Sequence, residues 1–357
     1  MAAFKNVSIL PQVVELDRHQ AEYSTTFSDY LNNSISDRRI RHGKALLKKH
    51  TFLKKIEQQY GVQAQIIIAL WAMESDFGQN MGSFSTINTL ATLAYDGRRP
   101  LFFRNELISA LHILHDRHIP IEKMKSSWAG AMGQPQFMPS TFIKYAADGN
   151  GDGKKDIWNN TRDVFASAAH YLEEIGWKSG QKWGFEVQLP KGFDPYQARL
   201  AEEKPLKEWN MLGVKKANGQ QVPKKEQKGS VLLPSGINGP AFLVLHNFRR
   251  IREWNRSISY ALTIGHLSDR LMGGSPLIGL SPQGGEKSLN KKQRLTLQSN
   301  LQELGFYKDK LDGMIGLKSR NAIREYQKSI DIPADGYPSH DLVLQVQKDI
   351  IMFRAAQ

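Results

Sequence analysis

Ile66-Ile67-Ile68-Ala69-Leu70-Trp71-Ala72-Met73-Glu74-Ser75-Asp76-Phe77-Gly78 is the stretch on which the reading of this chain turns. An unbroken apolar run ends in a glutamate, and Ser-Asp-Phe-Gly follows at once. A run apolar on every side suits a helix buried on all faces. The carboxylate at its end has two readings. It is a surface Glu just past the last buried turn, or a functional acid whose charged form burial disfavours, raising its pKa toward neutrality.

The flanking sequence keeps a helical period from about Glu15 to Trp177. Leu46, Leu47, Phe52, Leu53 and Ile56 recur at three- and four-residue spacing, and Leu107, Ile108, Leu111 and Leu114 mark one face of a helix over 104–115. Thr161 or Asn160 caps a helix running to Ile175, which Gly176 ends. From Gly184 to Pro240 the apolar runs shorten and Pro, Gly and Lys rise. Phe185-Glu186-Val187-Gln188-Leu189 alternates like a half-buried strand, and Val231-Leu232-Leu233 is a second candidate. Ala241 to Leu271 reads as helical again. The Gly-, Ser- and Pro-rich segment 273–289 reads as a flexible linker. Beyond it Leu295, Leu297, Leu301 and Leu304 mark one helix, and Ala322, Ile323 and Tyr326 another. Two similar turns, Leu311-Asp312-Gly313 and Ala334-Asp335-Gly336, recur there.

The chain has 357 residues, enough for two or three domains. Its 48 Lys and Arg against 35 Asp and Glu leave a net charge of +13, which suits nucleic acid, an anionic membrane surface or an acidic wall polymer. No basic motif interleaved with aromatics supports nucleic acid. There are no cysteines, so disulfides, thiolate metal sites, thiol catalysis and a lipid-bearing Cys are not expected. No stretch approaches the ~18 apolar residues of a membrane span, and the start, Met1 to Asn6, lacks a signal-peptide core.

Three further segments carry chemistry. Small residues in Ser127-Trp128-Ala129-Gly130-Ala131-Met132-Gly133-Gln134-Pro135-Gln136-Phe137-Met138-Pro139-Ser140-Thr141 let backbone approach backbone or ligand, and Gln136 can present its amide to an acetamido or hydroxyl group. Tight helix packing explains the same segment. Asp148-Gly149-Asn150-Gly151-Asp152-Gly153-Lys154-Lys155-Asp156 places oxygens at alternate positions with Gly at the sixth, as in a calcium loop. Lys154 would give its carbonyl. Asn159 stands where a bidentate Glu is usual, and Asp163 can supply the missing carboxylate. Affinity should be modest, with Kd on the order of 0.1–1 mM; a polar turn is the alternative. In Trp254-Asn255-Arg256-Ser257-Ile258-Ser259-Tyr260-Ala261 the aromatics are sugar-stacking surfaces or core, and Asn255 and Tyr260 are read on adjacent sides of one helix turn.

These motifs, in this order, resemble the membrane-bound lytic murein transglycosylase B family (glycoside hydrolase family 103) over roughly Val13 to Leu271. The last segment resembles a peptidoglycan-binding module, through Leu297-Gln298, Leu304-Gly305-Phe306-Tyr307, Leu311-Asp312-Gly313-Met314-Ile315-Gly316, Tyr326-Gln327 and Ala334-Asp335-Gly336. The resemblance implies an α+β protein, mostly α: a lysozyme-like helical catalytic domain (1–184 plus 240–272), a small β-containing insertion (185–239), the linker (273–289) and a three-helix module (290–357) that folds separately. It implies that Glu74 is the single acid/base, oriented by Ser127, and that Gln136, Phe137 and Met138 line the subsites. Asn255 would bind substrate near the cleavage point and Tyr260 would shape the pocket. Trp254 and Phe103 stand where some relatives have tyrosine, so an aromatic face survives at both. Asp148, Asn150, Asp152, Lys154 and Asp163 would hold structural calcium or sodium, with no cofactor for the chemistry. The expected partner is the peptidoglycan glycan strand, acted on by a monomer that can join cell-wall enzyme complexes. The expected compartment is the periplasm of a Gram-negative bacterium, with a secretion signal removed. Two other readings stay open. One is a hydrolytic muramidase, with Asp76 or Asp96 as a second carboxylate. The other is a non-catalytic wall-binding protein.

Overall fold

The apolar run at 66–73 forms the middle of a helix despite three consecutive isoleucines, which are stiff, second-rank helix formers. Burial decides it: every residue from Ile66 to Ala72 is buried in the computed structural model. The described residues are 4–5, 7–18, 25–279 and 288–355. The chain divides into two compact units, one of residues 1–20, 36–181 and 264–274 and the other of 21–35, 182–263 and 275–357.

The first unit holds helices α1 (Pro11–Arg18), α3 (Asp37–Lys49), α4 (Leu53–Tyr60), α5 (Ala64–Ser75), α6 (Thr86–Asp96), α7 (Pro100–His115), α8 (Pro139–Tyr145) and α9 (Thr161–Glu174). A two-residue ladder joins β1 (Phe84–Ser85) to β2 (Lys125–Ser126). Helix α5 is the core and packs against α3, α4 and α9. Trp71 meets Phe165 edge-on at 4.9 Å and Phe77 at 5.6 Å, and Phe165 stacks on Phe52 at 5.7 Å. The expected caps are present, since Asn160 accepts the Arg162 N–H ahead of α9 and Gly176 turns left-handed just past it.

The second unit contains α2 (Phe27–Ser34), β3 (Gly184–Gln188), β4 (Lys204–Pro205), α10 (Leu206–Met211), β5 (Lys215–Lys216), β6 (Lys228–Leu232), β7 (Ala241–Val244) and α11 (His246–Trp254). Helix α12 (Ile258–Leu271) begins here and ends in the first unit. The strands form one antiparallel sheet in the order β4-β6-β7-β3-β5, with Leu243 opposite Val231 on one side and Phe185 on the other. The helical reading of 241–244 is corrected here. Ala-Phe-Leu-Val is the central strand, buried on both faces, and such a strand reads as a continuous apolar run without alternation. One face packs Val187, Val231, Ala241 and Leu243 on Trp209, whose indole N–H donates to the Gly229 carbonyl at 2.8 Å.

The same unit carries α13 (Lys291–Glu303), α14 (Leu317–Ser329) and α15 (His340–Ala355), packed around Leu297, Leu301, Ile323, Tyr326 and Val346. Its two similar turns are gripped alike. Gln298 donates to the Asp312 carboxylate and accepts the Gly313 N–H; Gln327 does the same for Asp335 and Gly336. This segment is also bonded to the sheet region. Arg324 donates to the Ala198 carbonyl at 2.9 Å, Arg320 to the carbonyls of Leu233 and Pro234, and Asp335 accepts the Ile237 N–H at 3.0 Å. Glu186 holds the Ile278 and Gly279 N–H groups at 2.9 and 2.6 Å. The freely tethered module read from the Gly/Pro-rich segment is therefore bonded to the sheet region, in one case by a buried pair, through contacts that composition could not disclose. Of that expected linker, residues 280–287 lie outside the described residues.

On α12, burial, with the Arg270 charge second, pushes the His266 pKa from 6.5 down to about 4. The folded state thus favours the neutral ring. Stability from that preference is full above pH 6.5 and is lost as the pH falls toward 4, about 3 kcal/mol in all. Urea unfolding at pH 7 and pH 4 checks this: His266→Gln should lose about 3 kcal/mol less than the wild type over that interval.

Candidate active site

Helix α5 presents Glu74 in its last turn, half-buried rather than sealed in the core. The backbone then reverses. Asp76, Phe77 and Gly78 take φ of 47°, 62° and 83°, three left-handed residues in succession. Ser75 is 1% exposed. Its Oγ accepts the Gly78 N–H at 3.0 Å, and the Phe77 N–H donates to the Trp71 carbonyl at 3.2 Å. Such backbone persists only where its surroundings over-determine it.

The Ser127–Thr141 segment is brought to this turn by backbone. The β1–β2 ladder pairs Phe84 with Ser126. Gly82 (φ 83°) comes so close that a Cβ there would lie 2.2 Å from the Ser126 carbonyl oxygen and 2.5 Å from the Ser127 nitrogen. Ser127 Oγ accepts the Ala131 N–H at 3.2 Å, and its hydroxyl proton remains a donor. Met132 and Phe137 exchange both backbone bonds, closing a hairpin with Gln136 at its left-handed corner (φ 51°). The Gln136 amide N–H₂ donates to the carbonyls of Gly133 (2.8 Å) and Met81 (3.3 Å). What it can offer a ligand is its carbonyl oxygen.

Gln134 and Glu106 were not read from the sequence. Gln134 accepts the Trp71 indole N–H at 2.7 Å and donates to the Trp158 carbonyl at 2.7 Å, both buried. It ties the hairpin to α5 one turn before Glu74. Glu106, 4% exposed, accepts the Ser140 N–H and hydroxyl at the start of α8. An amide beside Gly-Pro and a carboxylate on an apolar helix face were the signals available for them.

Other candidates are placed differently from expectation. Phe103 is 6% exposed and Phe137 2% exposed, so both lie behind the surface; Phe102 is the half-buried ring on α7, with the Arg99 guanidinium 3.9 Å from its centroid. Met138 is half-buried ahead of α8. Asp76 faces Arg39 at 3.1 Å and Arg38 at 3.6 Å, and Asp96 faces Arg18 at 3.3 Å. In the second unit, 254–261 is two helices rather than one. Asn255 ends α11 in extended conformation and accepts the Ser257 N–H at 3.0 Å, while Ser257 accepts the Tyr260 N–H at 3.2 Å. Short polar side chains that bond nearby backbone favour such a break. Trp254 and Asn255 are half-buried and Tyr260 is buried.

In the 148–163 loop, Gly151 and Gly153 are left-handed. Burial pushes the Asp148 carboxyl up, but N–H donors of Gly153, Gly151, Asp152 and Asn150 outweigh it and the net shift is downward. Asp152 accepts the Lys154 N–H at 2.8 Å. Asp163, fully buried, accepts from Gly149 and Asp156 at 2.9 and 2.8 Å; burial nevertheless raises its pKa. The conformation fits a cation loop, but among the described residues no three His, Asp or Glu side chains converge as a ligand set.

A glutamate thus ends the core helix beside a close-packed hairpin of small and amide residues in a mostly helical unit. Residues 1–269 match the transglycosylase SLT domain family, and 290–343 match a putative peptidoglycan binding domain. The chain belongs to the transglycosylase SLT domain family. It is 45% identical to SltB3 from Pseudomonas aeruginosa, whose crystal structure in complex with NAG-anhNAM-pentapeptide matches with a TM-score of 0.92, covering 97% of this chain and 92% of that one. It is 32% identical over 222 residues to membrane-bound lytic murein transglycosylase B of Escherichia coli (strain K12), covering 60% of this chain and 58% of that protein's length. The Escherichia coli lytic transglycosylase Slt35 in complex with calcium is 26% identical, with a TM-score of 0.65 over 75% of this chain and 84% of that one. Among the described residues no helix is long and apolar enough to cross a membrane.

Gln134→Ala should leave the Trp71 N–H and the Trp158 carbonyl unsatisfied. Each buried orphan costs about 1–3 kcal/mol, so the variant should melt measurably lower. Glycan turnover, measured well below that melting temperature, should fall as well.

Proposed function

We propose that the chain is a peptidoglycan lytic transglycosylase that cleaves the β-1,4 bond between N-acetylmuramic acid and N-acetylglucosamine without water. The observation that carries this reading is Glu74, a half-buried carboxylate set beside three left-handed residues, with the two alternative carboxylates weighed above, Asp76 and Asp96, already facing arginines. A glycosidase ordinarily uses two carboxyls; here one serves twice. Protonated Glu74 gives its proton to the glycosidic oxygen. The acetamido carbonyl of the muramic sugar attacks its own anomeric carbon as the bond to the leaving sugar breaks. Anionic Glu74 then takes the proton of the 6-hydroxyl, whose oxygen closes the 1,6-anhydro ring and expels the acetamido oxygen. Ser127 orients Glu74. The Gln136 carbonyl and Met138 contact the glycan, with buried Phe103 and Phe137 behind the surface of the same unit; Trp254, Asn255 and Tyr260 are substrate-binding residues by the family resemblance. The segment 290–357 binds peptidoglycan, and the site of action is the periplasm.

Glu74→Gln is isosteric but cannot deliver a proton, so cleavage should fall by at least about a hundredfold, the lower end of general-acid contributions, with the melting curve nearly unchanged. Mass spectrometry of digested glycan should show 1,6-anhydro ends from the wild type. Products heavier by one water would instead mean a hydrolase. No soluble product would leave a binding protein.

The 148–163 loop holds calcium or sodium in a structural role, through Asp148, Asn150, Asp152, the Lys154 carbonyl and Asp163. No step of the reaction passes through the ion. Calcium at several millimolar should raise the melting temperature by linkage, as RT ln(1 + [L]/Kd) requires, and Asp152→Ala should remove the increment. An unchanged melting curve would make the loop a turn only.

A further inference from the structure

The turn that follows Glu74 needs support from outside, because Phe77 is an aromatic residue held at φ 62°. Asp tolerates left-handed backbone; a bulky side chain does so only where its neighbours impose it. On the hairpin side the turn meets Gln134, since a Cβ at Gly78 would lie 2.6 Å from the Gln134 Oε1. On the other side stands α3, which sends Arg39 and His42, one turn apart, onto it. The His42 ring meets Phe77 edge-on at 4.7 Å. Arg39 Nη2 donates to Asp76 Oδ1 at 3.1 Å, and its Nη1 to Met73 Sδ at 3.8 Å. Met73 comes just before Glu74 and Asp76 two residues after it, so one guanidinium brackets the acid's own segment of chain. The Arg39 backbone is itself fixed, because Ser36 Oγ caps α3 by accepting the Arg39 N–H at 3.2 Å. Arg38 also faces Asp76, at 3.6 Å, from a side chain 80% exposed.

Resting on the acid/base reading of Glu74, we propose that Arg39 is a positioning residue for the reaction: with Asp76 it fixes the end of α5, and through that the direction in which Glu74 presents its proton. Asp76 then serves the site as an anchor rather than as a second reacting carboxylate. Two physical points separate this role from plain stability. The Arg39 and Asp76 side chains are 23% and 31% exposed, and ion pairs so open to water contribute little to folding. A displacement of about 1 Å in a catalytic group, by contrast, can cost on the order of a hundredfold in rate. The planar fork reaches thioether and carboxylate at once, so it restrains both sides of Glu74 together.

The test is steady-state turnover of a soluble peptidoglycan-derived glycan by full-chain variants, each with its melting curve. Arg39→Gln should lower kcat at least about tenfold, keep KM within about twofold, and melt nearly as the wild type does. Asp76→Asn keeps an acceptor oxygen for the fork and should retain kcat within about threefold, whereas Asp76→Ala should be slowed as Arg39→Gln is. The double variant Arg39→Gln/Asp76→Ala should be no slower than Arg39→Gln alone, because both changes remove one contact. Arg38→Gln should change kcat less than about twofold. A wild-type kcat in Arg39→Gln, a loss wholly in KM, an equal loss in Arg38→Gln, or additive losses in the double variant would overturn the proposal. Asp76→Asn as slow as Glu74→Gln would also overturn it, by making Asp76 a reacting carboxylate. Should Arg39→Gln melt below the assay temperature, the contrast between Asp76→Asn and Asp76→Ala reads the same contact. If Glu74→Gln still cleaves, the acid/base reading fails whatever Arg39 does. If Glu74→Gln is inactive and Arg39→Gln is fully active, that reading stands and the positioning role falls.

Discussion

Trp71 has one polar atom, and it is buried. Its indole N–H must find an acceptor in the core, and Gln134 supplies it from a segment 63 residues away in sequence. The same amide reaches the Trp158 carbonyl. One side chain thus couples the core helix, the hairpin beside Glu74 and the end of the 148–163 loop. An indole N–H left without a partner in apolar surroundings would cost more than an ordinary bond contributes, so the three segments are held to one geometry. The rest of the candidate site is arranged around that coupling.

Buried polar side chains do similar work wherever the chain is irregular. Asp163 satisfies two loop N–H groups, Glu106 caps α8 through Ser140, and Gln298 and Gln327 each bracket an Asp-Gly turn. Loop backbone cannot satisfy itself as a helix or sheet does, so every buried turn needs an outside donor or acceptor. The paired glutamines also explain why the two turns look alike in sequence: each is the same solution to the same unsatisfied backbone.

The left-handed run Asp76-Phe77-Gly78 and the corner at Gln136 are where this support is spent. They turn the chain sharply just past Glu74, and they place a hairpin of small residues where longer side chains would collide. The Gly82 contact with Ser126 and Ser127 is the clearest case, since any Cβ would strike backbone. Strain of this kind is tolerable on a scaffold whose central helix is buried on every face.

Sequence alone determined the helical character of 66–75, the caps around 160–176, strand character at 185–188 and at 231–232 of the longer strand 228–232, and the ordered motifs that bring out the family. Those features depend on local pattern: period, cap chemistry and turn residues. Tertiary structure decided what local pattern cannot carry. Ala241–Val244 is a strand because two neighbours pair with it, although an apolar run of four does not distinguish strand from helix. Asn255 breaks a helix by bonding the Ser257 backbone. Phe103 and Phe137 are buried, and Glu74 is half-buried, because burial is a property of the packed assembly and not of the residue. The C-terminal helices are bonded to the sheet region through Arg320, Arg324 and Asp335, contacts whose partners lie about a hundred residues away. Gln134 is not legible for the same reason: an amide in a Gly/Pro-rich loop gives no sign of the indole it will meet until the chain has folded around it.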